Sequence, residues 1–383
     1  MSEPSRRSLL RLGGRIAAAG VVGGLAAHGA WQSAAPAASS PRELLGRDLR
    51  VGYLPITDAA ALLTAHDRGL WHDAGLPSAE PVLFRSWEAL AQAFVVGEVD
   101  VVHLLMPLAL QLRLQNDTPL RVIGWGHTNG SALVTLPSIT ETSHLAGTKV
   151  AVPYWWSIHS VLTQQLLTSA GLTPIIGRPP GPREVQLVVM PPAEMVAALA
   201  AEQIAGYAVA DPFNAMAEVQ GVGRVHRLLG DVWRDHACCA VTVRQDLIDE
   251  HPDAVHAIAD GLVGAQAWLN GNREEGAARL TDGGYLPQPP PAIQRAISRP
   301  ADAGAVHPHW HGERLGFSAF PHSSYTEQLV GLMSQTVVDG DRSFLDGLSP
   351  SAAHSQLVDD RFIRAALSRA GLPIEPRTEE VAP

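Results

Sequence analysis

Three features of this 383-residue chain predict an α/β fold built as two lobes. Short apolar runs rich in β-branched residues alternate with stretches of helical periodicity about 10–15 residues long, the signature of strand–helix–strand units. The chain turns mainly helical after Asp246. Between residues 49 and 107, each strand carries a polar or aromatic residue to the point where a helix opens. Small polar ligands meet free backbone N–H groups and the positive end of a helix dipole at such points.

The first strand spans 49–55 and runs into an acidic turn at 56–60, which holds Thr57 and Asp58. A helix follows over 62–71. A second strand reaches 85–87, ending on Trp87; after another helix, 99–107 closes the unit with His103 inside it. Further strands are expected at 121–125, 132–136, 149–153, 185–190, 206–210, 222–229 and 240–243, with helices at 108–114, 159–170, 192–202 and 212–220. This alternation implies parallel sheets. A long helix is expected from Pro252 to Leu269, loops at 283–291 and 301–308, and closing helices at 323–337 and 359–370. The chain is expected to leave the first lobe near 126–130 and return near 235–240. The resulting boundaries are 1–37 for a leader, 48–128 for the first part of lobe one, 129–237 for lobe two, and 238–383 for the return to lobe one and the C-terminal helices. Ligands of open α/β sheets bind beyond the carboxyl ends of the strands, and here two such rims would face each other.

Residues 5–11, Ser-Arg-Arg-Ser-Leu-Leu-Arg, read as a twin-arginine export motif, and a Gly/Ala-rich apolar run and Ala35-Pro36-Ala37 follow. The expectation is export to the periplasm or cell envelope, with a membrane tether if the leader is retained. No cysteine lies near the cleavage region, which argues against a lipid anchor there. Formal net charge is −10, and the leader removes four arginines against one glutamate, so what remains is more acidic still. Such a surface argues against nucleic acid and anionic membranes as partners. The two cysteines, Cys238 and Cys239, are adjacent, which is too few for a disulfide framework and strained for a mutual bridge.

The order of four segments resembles the solute-binding proteins of ABC importers in the nitrate/sulfonate/taurine/bicarbonate class. These are Pro55-Ile56-Thr57-Asp58-Ala59-Ala60; Ser86-Trp87 with residues 100–107; residues 190–195; and residues 210–215 ahead of 230–236. The likeness is nearer to the nitrate/bicarbonate binders than to the shorter sulfonate binders. It implies a periplasmic-binding-protein type II fold with a hinged cleft, no cofactor and no catalysis. It also implies a monomer that hands a small solute (an oxyanion, a sulfonate or a heteroaromatic such as a pyrimidine) to a membrane permease. Carried onto this chain, the cleft is expected to use Thr57, Asp58, Trp87 and His103 from lobe one and His159 and Asp211 from lobe two, with Ser131 and Cys239 near the hinge. Trp87 matches a tryptophan that lines the pocket in those proteins, and His159 a cleft histidine able to donate to an oxyanion. The chain departs from them in two places: Ser131 stands where nitrate binders resemble glutamine, and Cys239 where they carry a lysine.

Three readings of the cysteine pair stay open. The first takes both as small apolar residues opening a buried strand. Alternatively, Cys238, Cys239 and His159, with His103, His127 or His236 nearby, would suit copper or zinc. The pair also resembles, more distantly, the cysteine-rich strand of fungal thiamine-pyrimidine synthases, in which case Trp87, Trp155 and Trp156 could stack on a ring. Those enzymes consume an active-site lysine, whereas the sole lysine here, Lys149, begins a strand. The tract His307-Pro308-His309-Trp310-His311 reads as a surface loop, and no nucleophile elbow, phosphate loop or paired-carboxylate pattern occurs.

Overall fold

A computed structural model describes residues 44–298 and 315–383. The leader, the 301–308 loop and the His307–His311 tract lie outside the described residues. The strands are β1 (Val51–Tyr53), β2 (Val82–Leu83), β3 (Val101–Leu105), β4 (Leu120–Trp125), β5 (Thr128–Asn129), β6 (Ser131–Thr135), β7 (Lys149–Val152), β8 (Thr173–Ile175), β9 (Glu184–Val189), β10 (Gly206–Ala210), β11 (Arg224–Leu228), β12 (Cys239–Arg244) and β13 (Leu315–Gly316). They form a five-stranded sheet in the order β2-β1-β3-β12-β4 and a six-stranded sheet in the order β11-β6-β10-β7-β9-β8; β5 and β13 pair separately.

The sheets are mixed rather than parallel. β12 runs antiparallel to both β3 and β4, and β6 runs antiparallel to β10 and β11. Both departures arise where the chain passes from one sheet to the other, since a strand that enters a sheet from its neighbour arrives from the opposite end. The remaining neighbours in each sheet are parallel, joined through helices as the alternation requires. The two passages lie side by side: Asn129 N donates to the His236 carbonyl at 2.8 Å, and Thr128 bridges Ala237.

Apolar packing joins the sheets. One continuous buried cluster runs from Leu54, Trp87, Leu105 and Trp125 to Leu133, Ala151, Tyr207 and Trp233. A second fills the other face of the five-stranded sheet beneath the helix Pro252–Gly271. Helices Arg273–Asp282 and Pro290–Ser298 occupy ground where sequence periodicity gives no helix. The second takes two prolines into its first turn, where a missing N–H is harmless. It leaves the first sheet's side and packs Ala292 and Ala296 against Ala215, with Arg295 bonded to Glu218 at 3.0 Å.

Gly261 lets the long helix sit on Trp71: a Cβ there would lie 2.2 Å from the indole Nε1, whereas at Gly264 the nearest atom is Leu70 Cδ1 at 3.5 Å. Alanine in a helix gains about 1 kcal/mol over glycine, while overpacking a core costs about 1–3 kcal/mol. Gly264→Ala is therefore expected to leave stability unchanged or raise it, and Gly261→Ala to lower it by about 1–2 kcal/mol. Denaturant unfolding of the two variants checks the pair.

Candidate functional site

The site gathers where the turn after β1 meets the two passages between the sheets. Thr57–Ala59 forms a single 3-10 turn, and Asp58 within it is 1% exposed. Thr57 fastens this turn to the opposite sheet, its N–H donating to the Asp211 carbonyl at 2.8 Å and its hydroxyl to the same oxygen at 3.2 Å. The Asp211 carboxylate accepts from Ala215 N at 3.1 Å, capping the helix Phe213–Gln220. Thr57 and Asp211 thus spend these groups on holding the two sheets together.

Asp58 faces the passage strand from the other side. His127 Nε2 stands 3.0 Å from its Oδ2, yet neither carboxylate oxygen makes a well-aligned hydrogen bond. Burial opposes the charge, but His127, then His103 and Cys239, hold the carboxyl well below the usual carboxylate range. His127 was counted from sequence only as a possible metal ligand, and nothing in its spacing marks it as the partner of Asp58. Gly126 before it is forced by the fold: a Cβ would lie 2.6 Å from the Asp58 carbonyl oxygen.

His103 sits on β3 and accepts from Leu54 N through Nε2 at 3.0 Å, leaving Nδ1 buried without a partner. Trp87 opens the helix Trp87–Val95 behind Ser86, whose hydroxyl caps Ala89 N at 3.2 Å, so it begins a helix instead of ending a strand. Its ring meets His103 edge-on at 5.6 Å, and its Nε1 is likewise unpartnered.

From the other sheet, His159 enters at the first turn of the helix Ile158–Ser169, behind the capping Ser157. Its Nε2 lies 3.0 Å from Ser131 Oγ and 3.7 Å from Cys238 Sγ, and its Nδ1 is unpartnered. The chain bends at Cys238 just ahead of β12, which brings both sulfurs to one side, 3.7 Å apart. Asp58, Cys238 and Cys239 each place a ligand atom within 4.8 Å of the others. Among the described residues this is the one group of acidic, thiol or imidazole side chains so arranged. Of the tryptophans named as ring platforms, Trp156 packs edge-on against Phe344 at 5.6 Å in the core.

Burial sets the charge state of the rest. It pushes His103 and His159 down to about 4 and His236 to about 3, and lifts the Cys238 thiol to about 12 and Cys239 well above its ordinary value. No lysine or arginine is buried among the described residues. The cluster therefore holds one buried anion, thiols kept protonated, and the imidazoles of His103, His159 and His236 kept neutral. Next to it a groove of about 320 Å³ opens between the sheets, lined by Leu54, Ile56, Arg85, Pro192, Phe213 and Met216 among others.

Comparison with known proteins identifies the family and the fold. A model of the NMT1-like family matches residues 46–281. A nitrate/nitrite binding protein, NrtA of Nostoc, is 26% identical over 322 residues, covering 75% of this chain and 72% of its own. Among solved structures, the periplasmic nitrate-binding protein NrtA from Synechocystis superposes with a TM-score of 0.74 at 20% identity, covering 85% of this chain and 89% of that one. A zinc-bound ligand-binding component of an ABC-type import system from Staphylococcus aureus gives 0.68 at 23%, over 84% and 99%. The desulfurization enzyme DSZB gives 0.54 at 17%, over 85% and 100%. The structural matches establish the α/β fold of the periplasmic binding proteins, a fold that also carries an enzyme.

Histidines whose folded values lie below the unfolded value of about 6.5 bind fewer protons folded than unfolded. Their contribution is complete above pH 6.5 and is lost as the pH falls towards 4. Stability is expected to drop by about 1.4 kcal/mol per pH unit for each such histidine. His159→Gln should flatten that slope by about one proton, which chemical denaturation at pH 7, 6, 5 and 4.5 measures.

Proposed function

The chain belongs to the NMT1-like family, and from that premise we propose that it is the solute-binding component of an ABC importer, capturing a small solute between its two sheets and presenting it to a membrane permease. One observation carries this reading: among the described residues, ring nitrogens of Trp87, His103, His127 and His159, and both oxygens of Asp58, are buried without a well-aligned hydrogen-bond partner. Each such group costs about 1–3 kcal/mol when left unsatisfied. A closed arrangement of this kind is stabilised by whatever solute supplies the missing partners, and that differential affinity drives closure. The sheets serve as the two lobes, residues 126–131 and 235–239 as the hinge between them, and the groove beside Arg85 and Phe213 as the mouth.

Several lines support export and transport over catalysis. The NrtA relatives are binding proteins by name, and residues 1–37 carry the twin-arginine pattern. Buried thiols held protonated are poor nucleophiles. Within the solute classes the family suggests, electrostatics disfavours a bare monovalent oxyanion. Nitrate would meet the Asp58 carboxylate with no buried lysine or arginine among the described residues to offset it, and charge-assisted hydrogen bonds contribute about 1.5–3 kcal/mol each. A solute bearing hydrogen-bond donors or positive charge fits the junction better.

A thermal-shift panel of nitrate, bicarbonate, alkanesulfonates, pyrimidines and divalent metals tests the reading, since a bound solute raises the midpoint with RT ln(1 + [L]/Kd). At least one solute is expected to stabilise the protein. Trp87→Ala combined with His159→Ala is expected to abolish that shift while leaving cooperative unfolding of the ligand-free protein in place. An undiminished shift in the double variant overturns the site.

A further inference from the structure

We propose that Asp58, Cys238, Cys239 and His159 form a binding site for a thiophilic d¹⁰ metal ion such as zinc, and that this ion is the cargo of the cleft. The inference rests on the solute-capture reading and specifies its solute. Three of the four groups already approach a coordination shell, Asp58, Cys238 and Cys239 lying within 4.8 Å of one another, and His159 stands beside Cys238. In a tetrahedral zinc site with Zn–S bonds of about 2.3 Å, neighbouring sulfurs stand about 3.8 Å apart and a sulfur and an imidazole nitrogen about 3.5 Å apart. Here Cys238 Sγ lies 3.7 Å from Cys239 Sγ and 3.7 Å from His159 Nε2. The Asp58 carboxylate places an oxygen within 4.8 Å of both sulfurs.

The chemistry agrees with the geometry. Two sulfurs and an imidazole select zinc or copper(I) over magnesium or calcium, which take oxygen shells. A buried, poorly hydrogen-bonded carboxylate disfavours an anion and supplies charge to a cation. When the ion enters, the two thiols lose their protons to solvent, and with Asp58 they give the occupied site a net charge of −1 around a divalent ion. The first turn of the Ile158–Ser169 helix, which holds His159, favours that net negative charge. The bend at Cys238 gives the pair its function: in a regular strand the two adjacent side chains would point to opposite faces.

The test uses the full chain, stripped with chelator and then dialysed against zinc chloride. The expected result is one zinc per chain, a higher thermal midpoint, and affinity lowered at least about a hundredfold in Cys238→Ser and in Cys239→Ser, and about tenfold or more in Asp58→Asn. A cadmium titration of the unmodified protein makes the result independent of variant folding, because thiolate-to-cadmium charge-transfer absorption appears only if sulfur ligates the ion. No retained zinc, or zinc bound without that absorption and with unchanged affinity in both cysteine variants, overturns the inference. If a pyrimidine or an oxyanion stabilises the chain and zinc does not, the metal site falls and solute capture stands. If nothing in the panel stabilises it, both fall.

Discussion

A carboxylate buried at the seam between two sheets constrains everything around it. Asp58 is almost wholly removed from water, and His127 at 3.0 Å is a near contact without the alignment of a full hydrogen bond. Taking such a charge out of water costs several kcal/mol unless its surroundings repay it. The neighbours are arranged accordingly: imidazoles and thiols stand around it, and aliphatic packing keeps out water from further away. The apolar remainder of the junction, from Leu54 to Trp233, would pack equally well around a neutral side chain. The charge is what gives the junction a chemistry.

The connection between the sheets exists in service of that turn. Gly126 must lack a side chain because the Asp58 carbonyl occupies the space, and Gly130 because His127 and Leu315 would lie 2.8 Å from a Cβ. Asn129 and Gly130 both adopt positive φ, 60° and 73°, so the chain reverses tightly between β4 and β6 and brings His127 inward as it does so. The returning passage then pairs with it through His236 and Ala237 before the bend at Cys238. In the proposed reading the passages at 126–131 and 235–239 carry His127 and Cys238–Cys239 and serve as the hinge, so a solute that bridges Asp58, His159 and the cysteines would act on the segments proposed to move.

Much of this fold was legible in the sequence because the strands are short, apolar and separated by helical periodicity. The strands at 120–125, 131–135, 149–152 and 206–210 fall within a residue or two of the expected runs. What periodicity could not show is direction: β12 and β6 look like any buried strand, and only the passage between sheets makes them antiparallel. The helix Pro290–Ser298 was hidden by its own prolines, which punctuate a sequence even where they begin a helix. Within the site, Asp58 and His159 could be singled out because each stands where a strand gives way to a turn or helix, whereas His103 lies in the middle of β3 and was picked out by the family likeness alone. The pairing of His127 with Asp58 could not, since it joins residues about 70 apart through a glycine turn whose tightness is a tertiary fact. Asp211 shows the reverse, an acidic residue at a strand end whose carboxylate is spent on a helix cap.

Nitrate affinity of the unmodified protein and of Asp58→Asn, measured by isothermal titration calorimetry, tests most directly whether the buried carboxylate governs what the cleft accepts. The expected result is little or no nitrate binding by the unmodified chain and a measurable gain once the charge is removed. Tight nitrate binding by the unmodified protein, weakened or unchanged in Asp58→Asn, would contradict the account.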